Sequence, residues 1–143
     1  MDTIPIGISA CLMGEPVRHN GSHKRDSYIN GTLAQYFTFH SFCPEVGIGL
    51  GTPRPAIRLI ASDTGVRAVG SRDSSLDVTD ELVSYSRSTF ERISQFSGYI
   101  LKRSSPSCGM ERVKVYNQKN MPDPIGSGIF AAEIMKRFPL LPI

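Results

Sequence analysis

The first apolar run of the sequence is Ile4-Pro5-Ile6-Gly7-Ile8-Ser9, and a cysteine, Cys11, follows two residues later. A short run of this kind, rich in isoleucine, predicts a buried strand. Two later apolar runs also lead into cysteines: residues 38–42 into Cys43 and residues 99–103 into Cys108. We therefore predict three buried strands, each of which leads into a cysteine, and the fold prediction starts from them.

Amphipathic stretches separate these strands. Helices are predicted near residues 28–37 and over residues 79–96 and 128–138, a hairpin over 56–61 and 66–69, and a further strand over 113–116. The glycine- and proline-rich residues 47–55 predict a shaped loop. This alternation is typical of an α/β domain, with a mostly parallel sheet flanked by helices. Because parallel strands end at one edge of a sheet, we expect a metal site at the carboxyl edge.

Composition narrows the class of protein. The chain has 143 residues, 40% of them hydrophobic and 20% charged, which suits one globular domain. Its net charge of +3 comes from scattered basic residues, so no strong nucleic-acid signal is present. No apolar run is long enough for a membrane span, and the start of the chain lacks the cationic region of a signal peptide. We predict a cytoplasmic protein.

The cysteines are the candidate ligands. Three is an odd number, which does not suit a disulfide framework, whereas thiolates select zinc, copper(I) or iron–sulfur clusters. One of the histidines His19, His23 and His40 would complete a zinc site with three cysteines, as in a structural or regulatory module. Two further alternatives are three thiols that only pack in the core and a metal-free redox sensor.

Polar residues beside the cysteines are candidate catalysts. Glu45 lies two residues after Cys43, where a carboxylate at a metal site would activate water or shuttle a proton. The alternatives for Glu45 are a surface carboxylate or an ion-pair partner of Arg54 or Arg58. Before Cys108, three serines either donate hydrogen bonds within the site or form a turn around a proline: Ser104, Ser105 and Ser107.

Four ordered motifs span most of the chain: Ser9-Ala10-Cys11-Leu12-Met13-Gly14, Cys43-Pro44-Glu45, Pro53-Arg54-Pro55 and Ser105-Pro106-Ser107-Cys108-Gly109. Together they resemble the thiouracil desulfurase (TudS) family. The resemblance implies a Rossmann-like α/β domain in which Cys11, Cys43 and Cys108 hold a [4Fe-4S] cluster. One iron of that cluster is then open to the sulfur of a substrate.

The activity that the resemblance implies is non-redox desulfuration of a thiolated nucleobase such as 2-thiouracil. Substrate sulfur binds the open iron, and the products are uracil and hydrosulfide. Glu45 is expected to activate water, with Ser105 and Lys102 stabilising or relaying the proton. The partner is thus a small thiolated base. Residues 1–143 are expected to form a single desulfurase domain, either as a short stand-alone form or as the N-terminal part of a longer protein.

Overall fold

The computed structural model describes residues 3–143, which form seven strands and five α-helices. The strands are β1 (Ile4–Ser9), β2 (Phe37–Phe42), β3 (Ile57–Ser62), β4 (Gly65–Gly70), β5 (Gly98–Ile100), β6 (Val113–Tyr116) and β7 (Pro122–Gly126). The helices are α1 (Ser27–Gly31), α2 (Pro44–Gly47), α3 (Thr79–Ser88), α4 (Phe90–Ile93) and α5 (Ile129–Arg137). Short 3₁₀ helices lie at Ala10–Met13 and Leu33–Gln35.

The strands form two sheets, not one. The first, which we call the parallel sheet, has the order β2-β1-β5, and both of its pairings are parallel. The second, the mixed sheet, has the order β4-β3-β6-β7. Its β3–β6 pairing is parallel, but β3–β4 and β6–β7 are antiparallel. The mixed α/β class is confirmed, while the prediction of a single, mostly parallel sheet is wrong.

The physical reason for this difference is the length of the connections. Strands β3 and β4 pair through Ser62 and Gly65, so only two residues lie between them. A connection that short can join only antiparallel neighbours, because a parallel pair needs a crossover of a dozen or more residues. The five residues between β6 and β7 impose the same constraint.

The core consists of three hydrophobic clusters. The largest packs the mixed sheet against α3, with Leu59, Val115 and Leu82 at its centre. A second packs α4 and α5 against the parallel sheet and includes Cys108 together with Phe130. The third lies under β1 and α1. The ends of β1 and β2 and the turn that carries Cys108 are therefore anchored on packed structure.

The predicted helix over residues 79–96 is divided in the structure. α3 ends at Ser88, and α4 begins at Phe90. Between them, the hydroxyl of Thr89 donates to the carbonyl of Ser86 at 2.6 Å, a side-chain bond that competes with regular helix. Within residues 3–143, no helix has both the length and the apolar character that a membrane crossing requires.

Candidate active site

A cavity of about 280 Å³ gathers the residues that the sequence singled out. Its walls include the three cysteines and the three predicted catalytic residues: Cys11, Cys43, Cys108, Glu45, Lys102 and Ser105. Of the histidines, His19 lines the cavity, whereas exposed His40 stacks on Phe96 and His23 accepts a backbone N–H from Arg25. The cavity thus joins segments that are far apart in the sequence, from Ser9 to Cys108.

The parallel sheet explains why the first two cysteines meet. Cys11 lies in the 3₁₀ helix that directly follows β1, and Cys43 follows β2 at the start of α2. These strands pair in parallel along their full length, so their carboxyl ends lie side by side. Pro44 occupies the first turn of α2, a position where its missing N–H costs nothing.

Cys108 is held by the start of α5. The N–H groups of Gly128, Ile129 and Ala131 donate to the carbonyls of Gly109, Pro106 and Ser107, respectively, at 2.8–3.1 Å. These N–H groups belong to the first turn of the helix, where no partner exists within the helix itself. The turn that carries the third cysteine is therefore fixed to the second hydrophobic cluster.

Burial keeps the three thiols protonated in the absence of a metal. It raises the pKa of Cys11, against the opposing charge of Lys102, and it raises the pKa of Cys43. At Cys108, which is 6% exposed, burial raises the pKa to about 12 despite hydrogen bonds from Ser9 and Ser107. A redox-sensing cysteine needs the opposite, an accessible thiol with a lowered pKa. The site does not favour the redox-sensor alternative.

The donor set suits an iron–sulfur cluster, in which the cysteines bind different iron atoms. Three free thiols around one cavity supply the soft ligands that such a cluster requires.

Glu45 is fixed through both of its carboxylate oxygens. The Nε of Arg54 lies 3.2 Å from Oε1, and the hydroxyl of Ser107 donates to Oε2 at 2.9 Å. Arg54 is itself buried, with a side chain 3% exposed, and its Nη1 donates to the carbonyl of Gly51 at 2.8 Å. Glu45 is therefore both an ion-pair partner of Arg54 and part of the cavity wall.

Ser105 and Ser107 both line the cavity but have different hydrogen-bond partners. The hydroxyl of Ser105, which lines the cavity, accepts the backbone N–H groups of Ser107 and Cys108 at 3.2 and 3.0 Å. Ser107 is 2% exposed and contacts Glu45. The sequence placed both serines near the cysteine but did not predict that Ser107 contacts Glu45, a residue 62 positions earlier.

Positive charge surrounds the mouth of the cavity. The backbone N–H of Lys102 donates to the hydroxyl of Ser9, and its ammonium donates to the carbonyl of Arg103. Burial lowers the pKa of Lys102, and the nearby cations Arg18, Arg103 and Lys24 lower it further. Within the described chain, the ion pairs of arginine and lysine involve only Arg54, Arg67 and Arg87. The mouth is thus suited to an anionic group.

Comparisons with known proteins identify the family. The family model described as 2-thiouracil desulfurase matches residues 6–143. The uncharacterized protein YbbK of Bacillus subtilis (strain 168) is 32% identical over an alignment of 133 residues that covers 87% of this chain and 85% of that protein. A solved structure described as a [4Fe-4S]-dependent thiouracil desulfidase, TudS, has a TM-score of 0.72 and 29% identity, covering 94% of this chain and 87% of that one. These matches confirm the resemblance drawn from the cysteine motifs, and the chain belongs to the 2-thiouracil desulfurase family.

Proposed function

We propose that this protein is a [4Fe-4S]-dependent enzyme that replaces the sulfur of a thiolated nucleobase, such as 2-thiouracil, with oxygen. The observation that carries the proposal is the cavity that joins three free thiols with the fixed carboxylate of Glu45. Family membership supports the substrate class, and the TudS structure is described as depending on the same cofactor.

Cys11, Cys43 and Cys108 would hold the cluster. When bound, it would act as a Lewis acid toward the soft sulfur of the substrate. Because the thiols are protonated in the metal-free protein, loading the cluster must release protons from them. We also propose that the carboxyl edge of the parallel sheet is the metal site, and that this sheet and its helices correspond to the Rossmann-like part of the family fold.

Glu45 would act as the general base. Its carboxylate accepts a proton from water, and the water oxygen attacks the carbon that carries sulfur. The carbon–sulfur bond then breaks, and hydrosulfide and a proton leave as the carbonyl of uracil forms. No electrons are gained or lost overall, because water replaces hydrogen sulfide at the same carbon. Ser105 and Lys102 would assist from the cavity wall, Lys102 through its positive charge.

The cavity draws its walls from residues between Ser9 and Cys108. The family match over residues 6–143 supports a single desulfurase domain for residues 1–143. Three free cysteines support a reducing compartment, and we place the protein in the cytoplasm.

The test is anaerobic reconstitution with iron and sulfide, followed by a hydrosulfide assay with 2-thiouracil. Reconstituted protein should hold about four iron atoms, absorb broadly in the visible region and release hydrosulfide together with uracil. Replacing Cys11, Cys43 or Cys108 by alanine should remove the iron. Stoichiometric zinc without iron uptake, or iron-loaded protein that leaves 2-thiouracil intact, would contradict the proposal.

A further inference from the structure

Ser9 is a buried serine at the end of β1, and the proposed reaction gives it no role. It is 2% exposed and lines the cavity. Its hydroxyl oxygen accepts the backbone N–H of Lys102 at 2.9 Å, which ties the end of β1 to the segment that follows β5. A backbone N–H can only donate, so the hydroxyl is the acceptor in this bond and keeps its own proton for another partner.

The second partner of the Ser9 hydroxyl is the sulfur of Cys108. Both residues line the cavity, and the side chain of Ser9 forms a hydrogen bond with the side chain of Cys108. The two residues come from different parts of the chain, since Ser9 ends β1 and Cys108 lies in the turn between β5 and β6. The parallel pairing of β1 with β5 brings them together. Ser9 thus connects the first strand to the third candidate ligand.

A second serine, Ser107, also lies near the sulfur of Cys108 but has a better acceptor. Its hydroxyl is 3.8 Å from that sulfur and 2.9 Å from Oε2 of Glu45. A hydroxyl has one proton, and hydrogen bonds to a carboxylate are charge-assisted and therefore stronger. The proton of Ser107 accordingly goes to Glu45, and Ser9 is left as the hydroxyl donor to the sulfur of Cys108.

A hydrogen bond to this sulfur matters most when Cys108 is a cluster ligand. Cys108 is 6% exposed and packs in the second hydrophobic cluster beside Phe130. A ligating cysteine is a thiolate, and a buried negative charge is costly unless it is paired or hydrogen-bonded. Since charge-assisted hydrogen bonds are stronger than neutral ones, the bond from Ser9 should strengthen when the cluster is loaded.

We infer that in the cluster-loaded protein the hydroxyl of Ser9 donates a hydrogen bond to the ligating sulfur of Cys108 and thereby raises the reduction potential of the cluster. The bond draws electron density away from the sulfur, which favours the reduced form, and hydrogen bonds to sulfur are among the factors that set the potential of such clusters. A higher potential also makes loss of an electron to dioxygen less favourable. The inference rests on the proposed [4Fe-4S] cofactor and adds a residue that tunes it.

The midpoint potential of anaerobically reconstituted protein tests this role without an activity assay. Ser9→Ala should hold as much iron as the wild type, but its midpoint potential should be more negative. Loss of one hydrogen bond should change the ratio of reduced to oxidised cluster at a fixed potential by about tenfold, which is about 59 mV for a one-electron couple. In air, Ser9→Ala should also lose its visible absorbance faster than the wild type.

Resonance Raman spectroscopy reports on the hydrogen bond itself. In the wild type, the iron–thiolate stretching bands should shift when H₂O is replaced by D₂O, because the proton on Ser9 exchanges. In Ser9→Ala the same bands should lie at higher frequency, since a thiolate without its donor binds iron more strongly, and their shift in D₂O should be smaller. The wild-type measurement needs no variant, so the inference can be tested even if Ser9→Ala does not fold.

Two further variants separate tuning from a structural role. Ser9→Thr keeps the hydroxyl and should have the potential and Raman bands of the wild type. Ser86→Ala is the control, because Ser86 is also fully buried and donates to a backbone carbonyl, that of Leu82, but does not line the cavity. It should leave the potential and the bands unchanged.

A wild-type potential in Ser9→Ala would overturn the inference and leave Ser9 as a structural tie to Lys102. The absence of a D₂O shift in the wild-type bands, or equal changes of potential in Ser9→Ala and Ser9→Thr, would also overturn it. These results would leave the proposed function intact if the wild type still releases hydrosulfide. If the wild type takes up zinc and no iron, the proposed cofactor itself fails, and the inference fails with it.

Discussion

Glu45 and Arg54 form a buried ion pair in the wall of the cavity, with Nε of Arg54 3.2 Å from Oε1 of Glu45. The two residues lie nine positions apart in sequence, Glu45 in α2 and Arg54 near the end of the glycine- and proline-rich loop. The Nη1 of Arg54 donates to the carbonyl of Gly51, and its backbone N–H donates to the carbonyl of His19. The pair thus fixes the candidate base and ties together two loops of the cavity.

Arg54→Ala should destabilise the metal-free protein. Removing one partner of a buried ion pair leaves an uncompensated charge and typically costs about 3–5 kcal/mol. The measurement is the free energy of unfolding in urea. Arg67→Ala is the matched control, since Arg67 also donates through Nε to a carboxylate, that of Asp77, but at an exposed site where ion pairs contribute little. Equal losses in the two variants would mean that the Glu45–Arg54 pair is no more important than a surface contact.

Glu45→Gln should separate catalysis from cluster binding. The amide keeps the shape of the side chain but cannot accept a proton as a base. Loss of a general base should lower the rate of hydrosulfide release by about 10²- to 10⁴-fold, while iron content and visible spectrum stay those of the wild type. Glu133→Gln is the control, because Glu133 also pairs with an arginine, Arg87, and does not line the cavity. Full activity in Glu45→Gln would contradict the role of base, and loss of iron would make Glu45 a structural support of Cys43.

The thiols of the metal-free protein should react slowly with iodoacetamide. Burial raises the pKa of all three, so at any given pH the folded protein holds less of the reactive thiolate than the urea-unfolded chain does. Cys108, with its pKa of about 12, should be the slowest, and its rate should climb as the pH approaches that value. Mass spectrometry of timed samples measures each site. Rapid alkylation of any of them at pH 7 would restore the redox-sensor interpretation.

Local pattern predicted much of this fold because apolar runs and buried strands coincide. The predicted strands at Ile4–Ser9 and Val113–Tyr116 have the same bounds in the structure. By contrast, β7 escaped prediction, since Pro122–Gly126 contains two prolines and lies almost entirely exposed at the edge of the mixed sheet. Helix α2 was not predicted, because its four residues begin with proline and end with glycine, a composition typical of a loop.

For the candidate site, too, some features could be predicted from the sequence and others could not. That the three cysteines lie close together could be predicted from the sequence, because each follows a strand or the turn after it. Parallel strands bring such positions to the same edge of a sheet. The contact between Ser107 and Glu45 spans 62 residues and depends on how the Cys108 turn rests on α5. No local spacing encodes such a contact. The sequence accordingly predicted that the three candidate ligands lie together, whereas the contact between Ser107 and Glu45 required the structure.

Gly128→Ala should disturb the Cys108 turn without touching any cavity side chain. A methyl group at Gly128 would lie 2.5 Å from the carbonyl oxygen of Ser107 and 2.8 Å from the backbone nitrogen of Cys108. Both are main-chain atoms, so relief requires the turn itself to move away from α5. Overpacking of this kind costs about 1–3 kcal/mol. Thermal unfolding of the metal-free protein should therefore occur at a lower temperature in Gly128→Ala than in the wild type.

The same displacement should weaken retention of the cluster, because it moves Cys108, one of the three proposed ligands, relative to the other two, which stay in place. Iron loss to a chelator should therefore be faster in Gly128→Ala than in the wild type. Gly31→Ala is the control, since Gly31 lies in α1 and a methyl group there meets no atom within 4 Å. Alanine in a helix is favoured over glycine by roughly 0.5–1 kcal/mol, so this variant should be slightly stabilised and keep its iron. If Gly128→Ala unfolds at a lower temperature yet keeps its iron as long as the wild type, the helix stabilises the fold without positioning Cys108, and the link between them is wrong.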